Sequence, residues 1–138
     1  MLNVDLNTRR DFIRFQRDEL TSSLVYAKLA SIEKDEQNKK VLNAISFEEL
    51  EHCEVLMKYT GIIPSPYSWK VIFYYVLARI FGLTFAIKLM ENGESEAQEM
   101  YARYKDYPEV VALGQEEEKH EEQLIAMINE ERLSYMGS

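Results

Sequence analysis

Four stretches of the chain carry apolar residues three or four positions apart, a spacing that predicts four amphipathic helices. The first is expected over residues 8–33, capped by Asn7 or Thr8, with Phe12, Phe15, Tyr26 and Leu29 on one face. The second is expected over 36–60, between a cap at Asp35 and a stop at Gly61, with a stripe of Val41, Leu42, Ile45, Leu56 and Tyr59. The third, 82–105, aligns Leu83, Ile87, Met90, Ala97, Tyr101 and Tyr104, and the pair Asn92–Gly93 is its weak point, able to end or bend it. The fourth, 108–132, opens at Pro108 and aligns Val110, Leu113, Gly114, Leu124, Met127 and Ile128; LSYMGS after it is expected to add no structure.

Between the second and third helices the pattern changes. A Pro-containing connection, GIIPSPYS, leads into WKVIFYYVLARIFGLTFAIKLM, the most apolar run in the chain. Its length approaches that of a membrane span. However, Arg79 stands near its middle, where a cation costs about 2.5–3.5 kcal/mol on insertion scales, and Gly82 breaks it. The expected reading is an extra apolar helix over 69–80, in the crossover before the third helix. Its surplus of aromatic residues exceeds what one small core needs and points to a dimer interface or membrane contact; a homodimer through residues 69–89 is expected.

The apolar faces are interrupted at particular places. Glu19, Glu49, His52, Glu94, Glu117 and His120 all fall on them, and a carboxylate is costly to bury without a partner. FEELEHCEVL (47–56) and QEEEKHEEQL (115–124) superpose without a gap, each holding a Glu-x-x-His that contains one of the only two histidines. Residues three apart on a helix stand about 5–6 Å apart at Cβ, so each motif can aim a carboxylate and an imidazole at one point. Glu19 and Glu94 are each followed, seven residues on, by Tyr-Ala-Lys or Tyr-Ala-Arg, which makes the second half a repeat of the first. Glu91 is the alternative to Glu94, and Glu118 with Glu121 competes with Glu117 and His120, although the register of the repeat favours the latter pair. Glu48, Glu51 and Glu54 point elsewhere, toward solvent. Any one Glu-x-x-His in so acidic a chain can arise by chance; six such residues at consistent positions point to a metal site. Two Glu-x-x-His motifs plus two single Glu on four helices is the pattern of a two-metal carboxylate bundle. Four carboxylates match the charge of two divalent cations and repel one another without them. This donor set suits Fe(II), Mn(II) or Zn(II), geometry and availability deciding among them.

Composition narrows the class further. At 138 residues, with 46% apolar and 29% charged residues, five Gly and three Pro, the chain fits one all-α domain spanning 1–138. Cys53 is the sole cysteine, best read as a packing residue, so neither a disulfide framework nor a four-cysteine iron site is available. A net charge of −8 disfavours nucleic acid as a partner and favours cations. The opening MLNVDLNTRRDF lacks an apolar core with a small-residue cleavage site, so a cytoplasmic location is expected.

With these motifs the chain resembles the rubrerythrin-like branch of the ferritin-like superfamily over nearly its whole length. The stretches FQRDELTSSLVYAKLASIEKD, ARIFGLTFAIKLMENGE and HEEQLIAMINEERLSYMGS look closest to the ferritin-like domain that precedes a membrane iron transporter in vacuolar-iron-transporter and membrane-bound-ferritin proteins. The resemblance implies a ferritin-like four-helix bundle of two antiparallel helix pairs joined by a long crossover. It also implies two irons bridged by Glu49 and Glu117, one completed by Glu19 and His52 and the other by Glu94 and His120. It implies a membrane iron-transporter domain as partner, and hence a place at the cytoplasmic face of a membrane. No such domain follows residue 138, so an isolated or truncated domain is expected. The chain departs from full-length rubrerythrin in lacking rubredoxin cysteines, and in carrying Ala97 where rubrerythrins can have a further carboxylate.

Three functions follow as expectations. In the first, two Fe(II) are oxidised by O2 or hydrogen peroxide, in iron homeostasis or oxidative-stress defence. Tyr26 and Tyr101 then hydrogen-bond the ligands, carry oxidising equivalents or simply pack. The second is a module that binds or senses Fe(II) for a membrane transporter. The third is a structural, dimerising helical bundle.

Overall fold

The computed structural model describes residues 3–137, except for the side chains of 93–96 and 130–137. The chain is all-helical, and no strand occurs among the described residues. Among the described residues five helices follow one another: α1 (Leu6–Ile32), α2 (Glu36–Thr60), α3 (Ser68–Phe81), α4 (Leu83–Ala102) and α5 (Pro108–Gly137). They divide between two compact units, Met1–Ile80 and Phe81–Ser138. Among the described residues no helix is long and apolar enough to cross a membrane.

The first unit is built on the α1–α2 hairpin. The cap of α1 is Asp5, not Asn7 or Thr8: its carboxylate accepts from the Thr8 backbone N–H at 2.7 Å, and this bond holds its pKa below the usual carboxylate value. Thr8 is instead buried, two residues inside the helix. Asp35 caps α2 by accepting from Asn38 N–H at 2.9 Å. Gly61 closes α2 in the left-handed region (φ 74°), where a Cβ would be strained, and its N–H bonds back to Met57.

The two helices face each other through Phe12, Phe15, Val25, Tyr26 and Leu29 on α1 and Leu42, Ile45, Leu56 and Tyr59 on α2. Each such side chain contributes about 1.5–3 kcal/mol on burial. A ladder of polar contacts sets their antiparallel register. Arg9 donates to the Thr60 carbonyl at 2.8 Å, Gln16 to the Cys53 carbonyl at 3.3 Å, and Ser23 to the Ser46 carbonyl at 2.7 Å, with Ser46 donating in return to Ser23 at 2.6 Å. The rungs step by seven residues up α1 and by seven down α2, which is two helical turns, so they recur on one face of each helix.

In the second unit, Gly82 (φ 96°) separates α3 from α4. α4 continues unbroken through Asn92–Gly93 and ends at Ala102, short of the expected 105, as Tyr101–Tyr107 turns toward Pro108. α5 continues to Gly137, through the segment expected to be unstructured. Ala86, Ile87, Met90 and Tyr101 on α4 and Val110, Leu113, Leu124, Met127 and Ile128 on α5 are buried. Gly114 lets the two helices approach closely: a Cβ there would lie 3.1 Å from Tyr101 Cβ, inside the optimal carbon–carbon separation of about 3.5–4.0 Å. A Gly114→Val chain is expected to lose about 1–3 kcal/mol in urea unfolding, despite the better helix propensity of valine. Unchanged stability would mean that α4 and α5 do not pack this closely.

Candidate metal centre

Glu19, Glu49 and His52, all buried, make up a candidate metal-binding group in the first unit. In the first unit, Glu19 stands one turn beyond Phe15 and one heptad before Tyr26, so the apolar face that buries those rings also buries the carboxylate, to 4% exposure. Glu49 and His52, 2% exposed each, occupy the corresponding stripe of α2 between Ile45 and Leu56. One ligand atom from each of Glu19, Glu49 and His52 lies within 4.8 Å of the others. His52 Nδ1 is 3.3 Å from Glu19 Oε2. A divalent ion with ligands at about 2.0–2.2 Å holds opposite donors roughly 4 Å apart, so small side-chain movements would close this triad on a cation.

The second unit carries its own cluster. Glu117 (3% exposed) and His120 (1%) lie one turn apart on α5, with His120 Nδ1 3.8 Å from Glu117 Oε2. Glu118, the competing carboxylate, is exposed, and Glu121 accepts a hydrogen bond from Gln98 at 3.0 Å. The side chain of Glu94 lies outside the described residues. Glu91, one turn earlier on α4, has both carboxylate oxygens shut off from solvent. Burial, then the nearby charges of Glu121 and Glu117, push its pKa up to about 7, with His120 opposing them. A groove of about 880 Å³ runs beside it, lined by Phe81, Leu83, Ile125 and Ile128 together with Lys88 and Glu121.

The raised pKa of Glu91 has a consequence for stability. Folding favours the neutral acid, so this contribution is fully present below the ordinary value of 4.5 and is lost as pH rises to about 7. In the metal-free chain, Glu91→Gln is expected to leave the melting temperature unchanged near pH 4. It should raise it above pH 7, flattening the pH curve between. Parallel curves for the two chains would show that Glu91 keeps its ordinary affinity for protons.

Tyr26 and Tyr101, 0% and 1% exposed, are built into the cores of their respective hairpins. Cys53 is buried too, and burial raises its thiol pKa, which suits packing rather than reactivity. Sequence reasoning missed Gln16. This residue is fully buried three positions before Glu19, donates to the carbonyls of Cys53 and Ile62, and accepts from the Thr60 hydroxyl at 2.7 Å. It ties the residue next to His52 to the opposite helix. Its position four residues after Phe12, on the apolar face, was the available signal.

No protein-family model, curated protein or solved structure matches the chain.

Proposed function

We propose that this chain is a non-haem di-iron protein of the rubrerythrin-like, ferritin-like kind, whose two helix pairs close into one four-helix bundle around the metals. Glu19, Glu49 and His52 from one pair, and Glu117, His120 and an α4 carboxylate (Glu94, or Glu91 in its place) from the other, would hold two iron ions. The observation that carries this reading is the buried Glu19–Glu49–His52 triad, three ligand-type groups converging between the two helices of the first pair. Buried carboxylates are expensive, and a divalent cation is the partner that offsets the cost of several at once. The matched spacing of the two Glu-x-x-His motifs, and the burial of both, supports a second, related metal position.

Bound iron would supply single electrons to dioxygen or hydrogen peroxide. The chain's own part is electrostatic and steric. Its carboxylates balance the ionic charge, its imidazoles hold the ligand set in place, and the surrounding Phe, Leu and Ile side chains keep bulk water out. Tyr26, one heptad from Glu19, and Tyr101, in the equivalent place of the repeat, would orient the ligands rather than react.

An anaerobic Fe(II) titration tests the proposal, followed by rapid mixing with O2 or peroxide. Two irons per chain and fast growth of ferric absorbance are expected, the faster oxidant being the physiological one. Two irons that bind, oxidise slowly and exchange freely would make this an iron-delivery or sensing module. No stoichiometric iron would overturn the metal centre altogether.

A further inference from the structure

We propose that α3 docks this protein onto the surface of a bilayer containing anionic lipid, through the face formed by Trp69, Ile72, Phe73, Val76 and Ile80. All five side chains are between 43% and 66% exposed. At 100° per residue they fall within an arc of about 100°, a single continuous stripe along the helix. The only residue of α3 that is buried, Ala78, lies on the opposite side. One flank of α3 is turned to α1, where Leu24, Ala27 and Lys28 share a groove with Val71 and with Ile72 at the edge of the stripe, and Lys28 lies 5.4 Å from the Tyr75 ring centroid. The first unit thus uses the back of α3 and leaves its most apolar face uncovered, more than scattered surface apolar residues account for.

Charge identifies what covers it. Residues 55–90 contain no Asp or Glu, although the chain has 24 of them, and they carry Lys58, Lys70, Arg79 and Lys88. An apolar stripe flanked by cations is complementary to lipid headgroups of negative charge, and the acidic remainder of the chain (net charge −8 overall) turns this segment, not another, toward them. A second copy of the chain fits less well. An isologous contact through this stripe would set Lys70 and Arg79 of one copy against a partner surface that offers no carboxylate from the same segment. α3 spans about 21 Å, shorter than the hydrocarbon core of about 30 Å, so it lies along the membrane surface rather than through it. The long stems of Lys70 and Arg79 can reach the headgroups while the ring and aliphatic groups enter the boundary.

Trp69 is the sole tryptophan, so its emission reports on this stripe alone. The full chain is titrated with phosphatidylcholine vesicles containing about 30% phosphatidylglycerol, and in parallel with pure phosphatidylcholine. A blue shift of Trp69 emission and co-sedimentation are expected with the anionic vesicles, weakening as salt is added. Phe73→Ser combined with Ile80→Ser should lower the partition coefficient about tenfold or more, and Arg79→Glu about tenfold on anionic vesicles only. These residues are exposed, so helical content and melting temperature should stay at parental values. No shift with vesicles overturns the proposal, as does equal partition of the apolar variant. A Trp69 shift that follows protein concentration alone, with a dimer in sedimentation, also overturns it and assigns the stripe to a second copy. None of these readouts depends on bound metal.

Discussion

A Glu49→Gln chain should bind Fe(II) or Mn(II) roughly two to three orders of magnitude more weakly than the parent, while its metal-free form melts at a higher temperature. Glutamine matches the shape of glutamate and removes only the charge, so packing around Leu56 and Ile45 is retained. In the metal-free parent, Glu49 and Glu19 are buried carboxylates whose ligand atoms lie within 4.8 Å of each other. Like charges that close, away from water, destabilise the fold, and removing one relieves it. With metal bound, the sign reverses. The cation then loses a charged partner, and breaking a buried ionic contact costs on the order of 3–5 kcal/mol. Anaerobic calorimetric titration and thermal melts with and without Mn(II) measure both halves. Equal affinity in the two chains would remove Glu49 from the ligand set. A drop in stability of the metal-free form would show that Glu49 is satisfied by neighbours and needs no ion.

The largest loss of stability is expected from Phe12→Ala, about 3–5 kcal/mol in urea unfolding. Phe12 is fully buried, its ring centroid 5.4 Å from Tyr59 in an edge-on arrangement and 6.0 Å from Phe15. Truncation forfeits the transfer energy of the ring and leaves a cavity between α1 and α2 that neither neighbour can fill without leaving its rotamer. Against a total stability of about 5–15 kcal/mol for ordinary domains, that is a major share. Phe47→Ala is the control: the same chemistry at a position 64% exposed should change stability by no more than about 0.5 kcal/mol. Similar effects at the two positions would contradict the assignment of the α1–α2 core.

Both predictions start from one property of helices, and it also explains how much could be read without a structure. A helix repeats its face every three to four residues, so the side chains that share a face are encoded locally. The α5 stripe from Val110 through Ile128 is buried along its expected length, with Glu117 and His120 on it and Glu118 outside. The choice between those glutamates came from the register of the repeat, which is again local. Glycine at 61 and 82 marks breaks for the same reason, since its special dihedrals belong to the residue itself.

Helix ends depend on more than the local pattern. Asp5, Asn7 and Thr8 are all competent caps, and Asp5 takes the role by accepting from the Thr8 N–H. The Asn92–Gly93 pair weakens a helix taken alone, yet α4 passes through it. The packing of Ile87, Met90 and Tyr101 on either side outweighs a propensity cost of about 1 kcal/mol.

The sequence by itself determined the helical class, the faces of the long helices and the residue types able to bind a metal, because periodicity and side-chain chemistry are properties of a short segment. Only the tertiary structure decided that Glu19 is buried against His52, that Gln16 and Ser23 tie α1 to α2 in seven-residue steps, and that α3 turns Ala78 inward and Trp69 outward. Each of these depends on a partner contributed by another helix. Burying a polar group or exposing an apolar one is settled by the free energy of that pairing, which no single segment contains.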